Sequence, residues 1–237
     1  MRLLNLNAYA ALFDPLCGKR VGYVPMPGNC GDQLIELATM QLFAEFRINY
    51  TIHKNKSPGS VDVFVIAGGG SMGGYYIDPR RIRERILTFG KPVIVFPQTF
   101  LGPEPLPYSQ VFVREKHSLR FCPDAALAPD LALGLDYECQ TVPTQANGIF
   151  LRKDKEGCFS WADSDGDPSP MCPTPEAYLQ LAAEYENIVT DRLHFAIAGL
   201  ICGRCVTLLP NAYFKNRAVW ETWLEELGCQ WSDRLPE

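Results

Sequence analysis

Asp191-Arg192-Leu193-His194 sets a guanidinium and an imidazole two positions apart, directly after the β-branched run Ile188-Val189-Thr190. Leu193, Ile197 and Leu200 follow at helical spacing, so the segment reads as a strand feeding a helix with one buried stripe. Thr190 or Asp191 is the predicted N-cap, which puts Arg192 and His194 in the first turn, at the positive end of the helix dipole. A cation, a titratable ring and unpaired N–H groups then converge where an anion is favoured. The same residues admit a plainer reading, with Arg192 paired to Asp191 or a neighbouring carboxylate and His194 a satisfied surface histidine. Arg114 and Arg152 also stand at the ends of predicted strands. A guanidinium fork matches carboxylate and phosphate, so three of them facing one cleft would hold a small polyanion. His194 is the natural acid or base, its ring titrating near neutrality when unperturbed, whereas His53 and His117 lie in less constrained settings. HExxH, DxD, a paired Cys/His metal set and GxSxG are all missing from the sequence. The expected site is therefore cationic, metal-free and built on one histidine, suited to transfer from a phosphorylated or carboxylated donor.

Two glycine-bearing turns must serve such a site. Lys19 to Pro25 reads as a strand, Gly28-Asn29-Cys30-Gly31-Asp32 as a turn and Gln33 to Phe46 as a helix, the unit that aims backbone N–H groups at an anion. The spacing matches neither GxGxxG nor GK[ST], and Asn29 and Asp32 either meet a ligand or cap the helix. Val61 to Ala67 reads as a buried strand running into Gly68-Gly69-Gly70-Ser71-Met72-Gly73-Gly74. So many glycines predict close approach of backbone to another object, a ligand or the facing half of the protein.

The remaining elements frame these turns. Lys91 to Pro97 is a predicted strand ending at Gln98-Thr99, and Gln110 to Arg114 is another. The helix from Asp78 to Phe89, rich in arginine, reads as a solvated face or an anion patch. Leu135 to Asn147 reads as a linker, and Gly148 to Arg152 opens a second half. Asp154 to Pro175 is a predicted long loop and candidate acceptor-side lid; a helix capped by Thr174 runs from there to Tyr185. A strand at Cys205 to Leu209 and an amphipathic helix at Ala218 to Leu227 close the chain, with Trp220 and Trp223 as packing residues or a sugar platform. Strands alternating with helices predict α/β domains with parallel sheets over residues 1–140 and 141–237. Ligands of such sheets gather at the carboxyl ends of strands, where Gly68–Ser71, Gln98, Arg114 and Arg152 are expected.

Composition narrows the class. Hydrophobic content of 47% with 21% charged residues is that of a soluble globular protein, and a net charge of −5 argues against nucleic-acid binding. No apolar run is long enough to span a bilayer, and no basic-then-apolar leader pattern opens the sequence. Nine irregularly spaced cysteines predict reduced thiols in a cytoplasmic protein. Cys202-Gly203-Arg204-Cys205 straddles the end of the central helix, with Gly203 the expected C-cap; it reads as packing or as a redox pair.

Gly-Asn-x-Gly-Asp (28–32), Gly-Gly-Gly-Ser (68–71), Pro-Gln-Thr (97–99), Val-Arg-Glu (113–115), Asp-Arg-Leu-His (191–194) and Tyr-Phe-Lys-Asn (213–216), in that order, resemble the polysaccharide pyruvyl transferase family over about residues 20–217. The resemblance implies two Rossmann-like domains facing a cleft, a GT-B-like architecture. It implies transfer of the pyruvyl group of phosphoenolpyruvate to two sugar hydroxyls as a ketal, with no cofactor beyond that donor. Arg114 and Arg192 would grip the donor and His194 would handle the proton. Asn29, Gly31, Asp32, Gly69, Gly70, Ser71, Gln98, Arg152 and Lys215 would complete the donor site. The implied partners are phosphoenolpyruvate and a sugar or polysaccharide acceptor, with peripheral membrane contact if that acceptor is lipid-linked. Two other readings fit the same pattern: a nucleotide-sugar glycosyltransferase of GT-B type, and an anion-binding module without turnover.

Overall fold

The structure, a computed structural model, describes residues 2–53, 57–74, 76–160 and 164–236. The chain divides into two compact units. Leu4–Pro27 and Ile35–Gly134 form the first; Met1–Leu3, Gly28–Leu34 and Leu135–Glu237 form the second. Each contains one parallel sheet, as the alternation of strands and helices predicts.

In the first unit, short helical turns including α1 (Ala10–Phe13) bury Tyr9, Leu12, Phe13 and Leu16 ahead of β1 (Arg20–Val24). Then come α2 (Cys30–Glu45), whose residues Cys30–Leu34 are counted with the second unit, β2 (Asn49–Ile52), β3 (Val63–Ile66), β4 (Gly69–Met72), α3 (Ile77–Leu87), β5 (Val93–Phe100), β6 (Gln110–Val113) and β7 (Ala126–Leu127). The sheet order is β2-β1-β3-β5-β6-β7, with β4 paired to β5. β3 and β5 are buried along their whole length, which is why β3 and the Val93–Phe96 part of β5 read as continuous apolar runs rather than alternating ones. Phe13 packs edge-on against Phe43 and Phe96, at 5.8 and 5.3 Å between ring centres, and anchors the helical side of the core.

Two expectations fail here for backbone reasons. β5 does not end near Pro97 but continues to Phe100, so Gln98 lies inside a strand and not at its end. Pro97 has no N–H to give, and at that point the strand changes partners. β3 pairs Val93–Val95, β4 takes Gln98 and Phe100, and the β6 register slips between Val95 and Gln98. The glycine-rich stretch is likewise not a loop, because Gly69–Met72 is β4 itself. At Gly73, φ is +90° and a Cβ would lie 2.4 Å from the Gly102 nitrogen. The close approach foreseen from the glycines is thus, at this position, to the unit's own backbone.

The second unit holds β8 (Gln145–Phe150), α4 (Pro168–Met171), α5 (Pro175–Ala183), β9 (Tyr185–Thr190), α6 (Leu193–Ile201), β10 (Cys205–Leu208), α7 (Lys215–Val219) and β11 (Gln230–Trp231), with sheet order β11-β10-β9-β8. Thr174 caps α5 as expected, its hydroxyl accepting from the Ala177 N–H at 3.2 Å. α6 is buried on every side, not along one stripe, and His194 is its half-exposed exception. Phe195 sits between Phe150 and Tyr178, at 4.7 and 5.0 Å. β8 starts at Gln145, within the predicted linker.

The closing helix starts at Lys215 and passes into a π-helical turn, Trp220–Leu224, in place of one helix from Ala218 to Leu227. Trp220 donates to the Cys229 carbonyl at 2.8 Å and lies 5.7 Å from Trp231, a packing arrangement. Cys202 is the cap residue of α6, and Gly203 follows it at φ +71° with its N–H on the Leu200 carbonyl at 2.9 Å, the helix-ending glycine expected there; all nine thiols are free. The predicted lid is tied down near its start and at its middle: Ala212 donates to Glu156, Leu151 to Gly166 and Asp165 to Ile149. Residues 161–163 of that stretch lie outside the described residues.

Candidate active site

His194 owes its seat to a glycine far away in sequence. Asn29 precedes α2; its side chain accepts from the Gly31 N–H at 2.8 Å, while the Asp32 carboxylate reaches back to the Asn29 N–H at 2.8 Å. This reciprocal pattern is a capping box, and it accounts for both polar side chains by capping. It also holds Gly31 against the imidazole, where a Cβ would stand 2.7 Å from His194 Nδ1. Gly31 is therefore a glycine because His194 is there.

The carboxyl ends of β8 and β9, with the start of α7, supply the rest. Arg152 follows β8, Asp191 and Arg192 follow β9, and Lys215 opens α7. The N-cap of α6 is Arg192 itself, not Thr190 or Asp191, and it makes no side-chain cap bond. Thr190 instead accepts from the Arg192 N–H at 3.0 Å, and Asp191 accepts from the Arg152 N–H at 2.8 Å, joining the two strand ends. Asn216 secures the junction from below, donating to the carbonyls of Asp191 and Leu209 at 2.7 and 2.9 Å.

The cations do not form an open positive patch. Arg192 makes a two-pronged bond to Asp167, at 2.9 and 2.6 Å, and its Nη2 also lies 3.0 Å from Asp154. Arg152 forks onto Asp154 at 2.8 and 3.0 Å and reaches Glu156 with Nη1 at 2.8 Å. Lys215 closes the chain on Glu156 at 2.7 Å. Three carboxylates from the predicted lid thus balance three cations, and the expectation of a cationic site is corrected to a neutralised network. Burial by itself would raise the Asp154 carboxyl, but the Arg152 bond, the Glu156 N–H and the two guanidinium charges hold it down at about 2. Asp191 goes the other way: burial pushes it up to about 6 despite the Arg152 N–H, and its Oδ2 has no hydrogen-bond partner.

The first unit holds the remaining expected residues, each engaged within that unit. Gln98 is fully buried, donating to the Ala67 carbonyl at 2.7 Å and accepting from the Ser71 N–H at 3.0 Å, so it fastens β4 to β5. Gly69 and Gly70 lie in β4, Gly69 opposite Gln98. Arg114 is 1% exposed, bonded to Asp130 at 2.8 Å and to the Thr99 hydroxyl at 2.8 Å, so its fork is not open to a ligand as expected. Beside it Glu115 is enclosed by the Thr99 and Ser118 hydroxyls, and burial lifts its carboxyl to about 7 against the pull of Arg114. On α3, Arg83 is fully buried on Glu104 at 2.8 and 2.7 Å, with Nη2 on the Ser71 carbonyl at 3.2 Å, and so departs from the solvated face expected of that helix.

Sequence reasoning missed Asp154, Glu156 and Asp167 as members of the site. Asp154 and Glu156 stand just after the strand-end Arg152, which was the available signal for them; Asp167, fifteen residues beyond Arg152, had none. Among the described residues, no group of three His, Cys, Asp or Glu side chains is arranged to hold a metal ion, and no helix is long and apolar enough to cross a membrane.

The sequence profile of the polysaccharide pyruvyl transferase family matches residues 29–213. No protein with a curated description matches the chain in sequence. The crystal structure of a functionally uncharacterised protein from Klebsiella pneumoniae is similar in fold, with a TM-score of 0.79 over 97% of this chain and 98% of that one, at 23% identity.

Proposed function

The chain belongs to the polysaccharide pyruvyl transferase family, and from that premise we propose that it moves the pyruvyl group of phosphoenolpyruvate onto two hydroxyls of a sugar acceptor. A proton adds to the methylene carbon of the donor and one acceptor hydroxyl adds at C2. The second hydroxyl then displaces phosphate, leaving a ketal and inorganic phosphate. A compact trianion needs guanidinium forks and a proton carrier, and the supporting observation is the meeting of Arg152, Arg192 and Lys215 at the carboxyl edge of one sheet, with His194 on the next turn.

In this reading His194 moves the proton, and Arg152 and Arg192 hold the donor with Lys215 as third cation. Gly31, Asn29 and Asp32 act by fixing the imidazole. Arg114, enclosed by Asp130 and Thr99, is a positioning residue. A GT-B-like pairing of the units, action in the cytoplasm and an acceptor that is a sugar, lipid-linked or not, complete the proposal.

The test combines thermal unfolding with turnover. Phosphoenolpyruvate at about a hundred times its Kd adds roughly 2.7 kcal/mol to stability and raises Tm, and nucleotide diphosphates do not. Phosphate release should depend on the acceptor and be matched by a ketal in the product's mass spectrum. Arg192→Lys keeps the charge but loses the fork, and should lower kcat/KM by about tenfold to a hundredfold. Stabilisation by a nucleotide diphosphate and not by phosphoenolpyruvate would replace this reading with sugar transfer from a nucleotide donor.

A further inference from the structure

Asp154 stands out in the ion-pair network of the second unit. Its side chain is 42% exposed, whereas those of Arg152, Arg192, Glu156 and Asp167 are 3–8% exposed. Its carboxylate receives both prongs of Arg152 and also faces Nη2 of Arg192, three charge-assisted contacts at 2.8, 3.0 and 3.0 Å. Two guanidinium groups closing on one small anion is the geometry of a bound carboxylate or phosphate. Neither arginine depends on Asp154 alone, since Arg152 keeps Glu156 and Arg192 keeps Asp167.

The geometry points to Asp154 as a built-in competitor that occupies the anion locus between Arg152 and Arg192 and sets its specificity for a phosphoryl group. The inference rests on the donor-binding reading above and adds to it which part of the donor meets this pair. An incoming carboxylate brings one charge and two oxygens, and in taking the place of Asp154 it gains nothing over what it displaces. A phosphate dianion brings a second charge and a third oxygen, so it alone gains from the exchange. The displaced carboxylate has somewhere to go, because it already borders water. The donor's phosphate, not its carboxylate, therefore belongs between Arg152 and Arg192, and Asp154 excludes pyruvate, which has only the carboxylate.

Asp154→Asn is the informative variant, because the amide oxygen can still accept the Glu156 N–H that Asp154 Oδ1 holds at 3.0 Å. Calorimetric titration of the wild type and the variant with inorganic phosphate, phosphoenolpyruvate and pyruvate tests the inference, and Asp154→Ala repeats it without any oxygen. The variants should bind inorganic phosphate at least about tenfold more tightly than the wild type, and pyruvate should become measurable. A purely structural role for Asp154 would give weaker binding, never tighter. Phosphate affinity unchanged or reduced in both variants, with phosphoenolpyruvate still bound by the wild type, would overturn the competitor and leave the donor reading intact. Tighter phosphate in the variants, with phosphoenolpyruvate bound by neither protein, would support the competitor and remove the donor reading.

Discussion

Both units contain arginines paired with carboxylates, and the pairs differ in where water reaches. In the first unit Arg83 with Glu104 and Arg114 with Asp130 are sealed, every partner at most 1% exposed. In the second, Arg152 and Arg192 are nearly as enclosed, but the carboxylate they share reaches solvent. A sealed pair cannot trade its carboxylate for a ligand without opening the core. A pair with one wet partner can. Burial of the arginine does not separate structural from ligand-binding cations here; the exposure of its partner does.

That contrast can be broken or sharpened by substitution. The largest effect is expected at Arg83. Arg83→Ala strands the Glu104 charge in a sealed site and should cost about 3–5 kcal/mol in urea unfolding, with kcat per folded molecule unchanged. A fall in kcat without loss of stability would put Arg83 with the second-unit arginines and dissolve the distinction.

Next comes Glu115, whose folded carboxyl titrates at about 7 against an ordinary 4.5. Between those values the folded protein keeps a proton that the unfolded chain has shed. The Glu115 contribution to stability is therefore greatest below pH 4.5, falls as pH rises through the window and is lost above 7. Glu115→Gln should remove about 3 kcal/mol of that decline in unfolding experiments from pH 4.5 to 8. An unchanged slope would mean that Glu115 is charged throughout and that the Arg114 cluster is wetter than the second-unit network.

The smallest effect tests the capping box. Asn29→Ala should lower stability by roughly 1 kcal/mol and leave the KM for the donor within about twofold. A large rise in KM would make Asn29 a ligand rather than a support for Gly31 and His194.

The sequence disclosed what repeats locally. The parallel α/β class followed from alternating runs such as Val63–Ile66 and the helix after Cys30, and the cap at Thr174 followed from its residue type and position. It also disclosed which arginines stand at strand ends in the second unit. Long-range pairing stayed hidden. Nothing near Arg83 indicates Glu104, nothing near His194 indicates Gly31, and Asp167 looks like a loop aspartate until the chain brings it under Arg192. The glycine run misled because two causes of glycine enrichment, a bound ligand and a backbone neighbour, leave the same trace. Pro97 misled because a strand that changes partners can absorb a residue that would break an ordinary ladder.

The sealed pairs of the first unit also have a thermal consequence. Hydration of a charged group is entropically unfavourable, so the penalty for withdrawing Arg83 and Glu104 from water shrinks on warming. Each pair therefore stabilises the fold more at high temperature than at low. Replacing Arg83 and Glu104 together by an apolar couple of equal volume should help most in the cold and least near the melting point, tilting the stability curve rather than simply raising it.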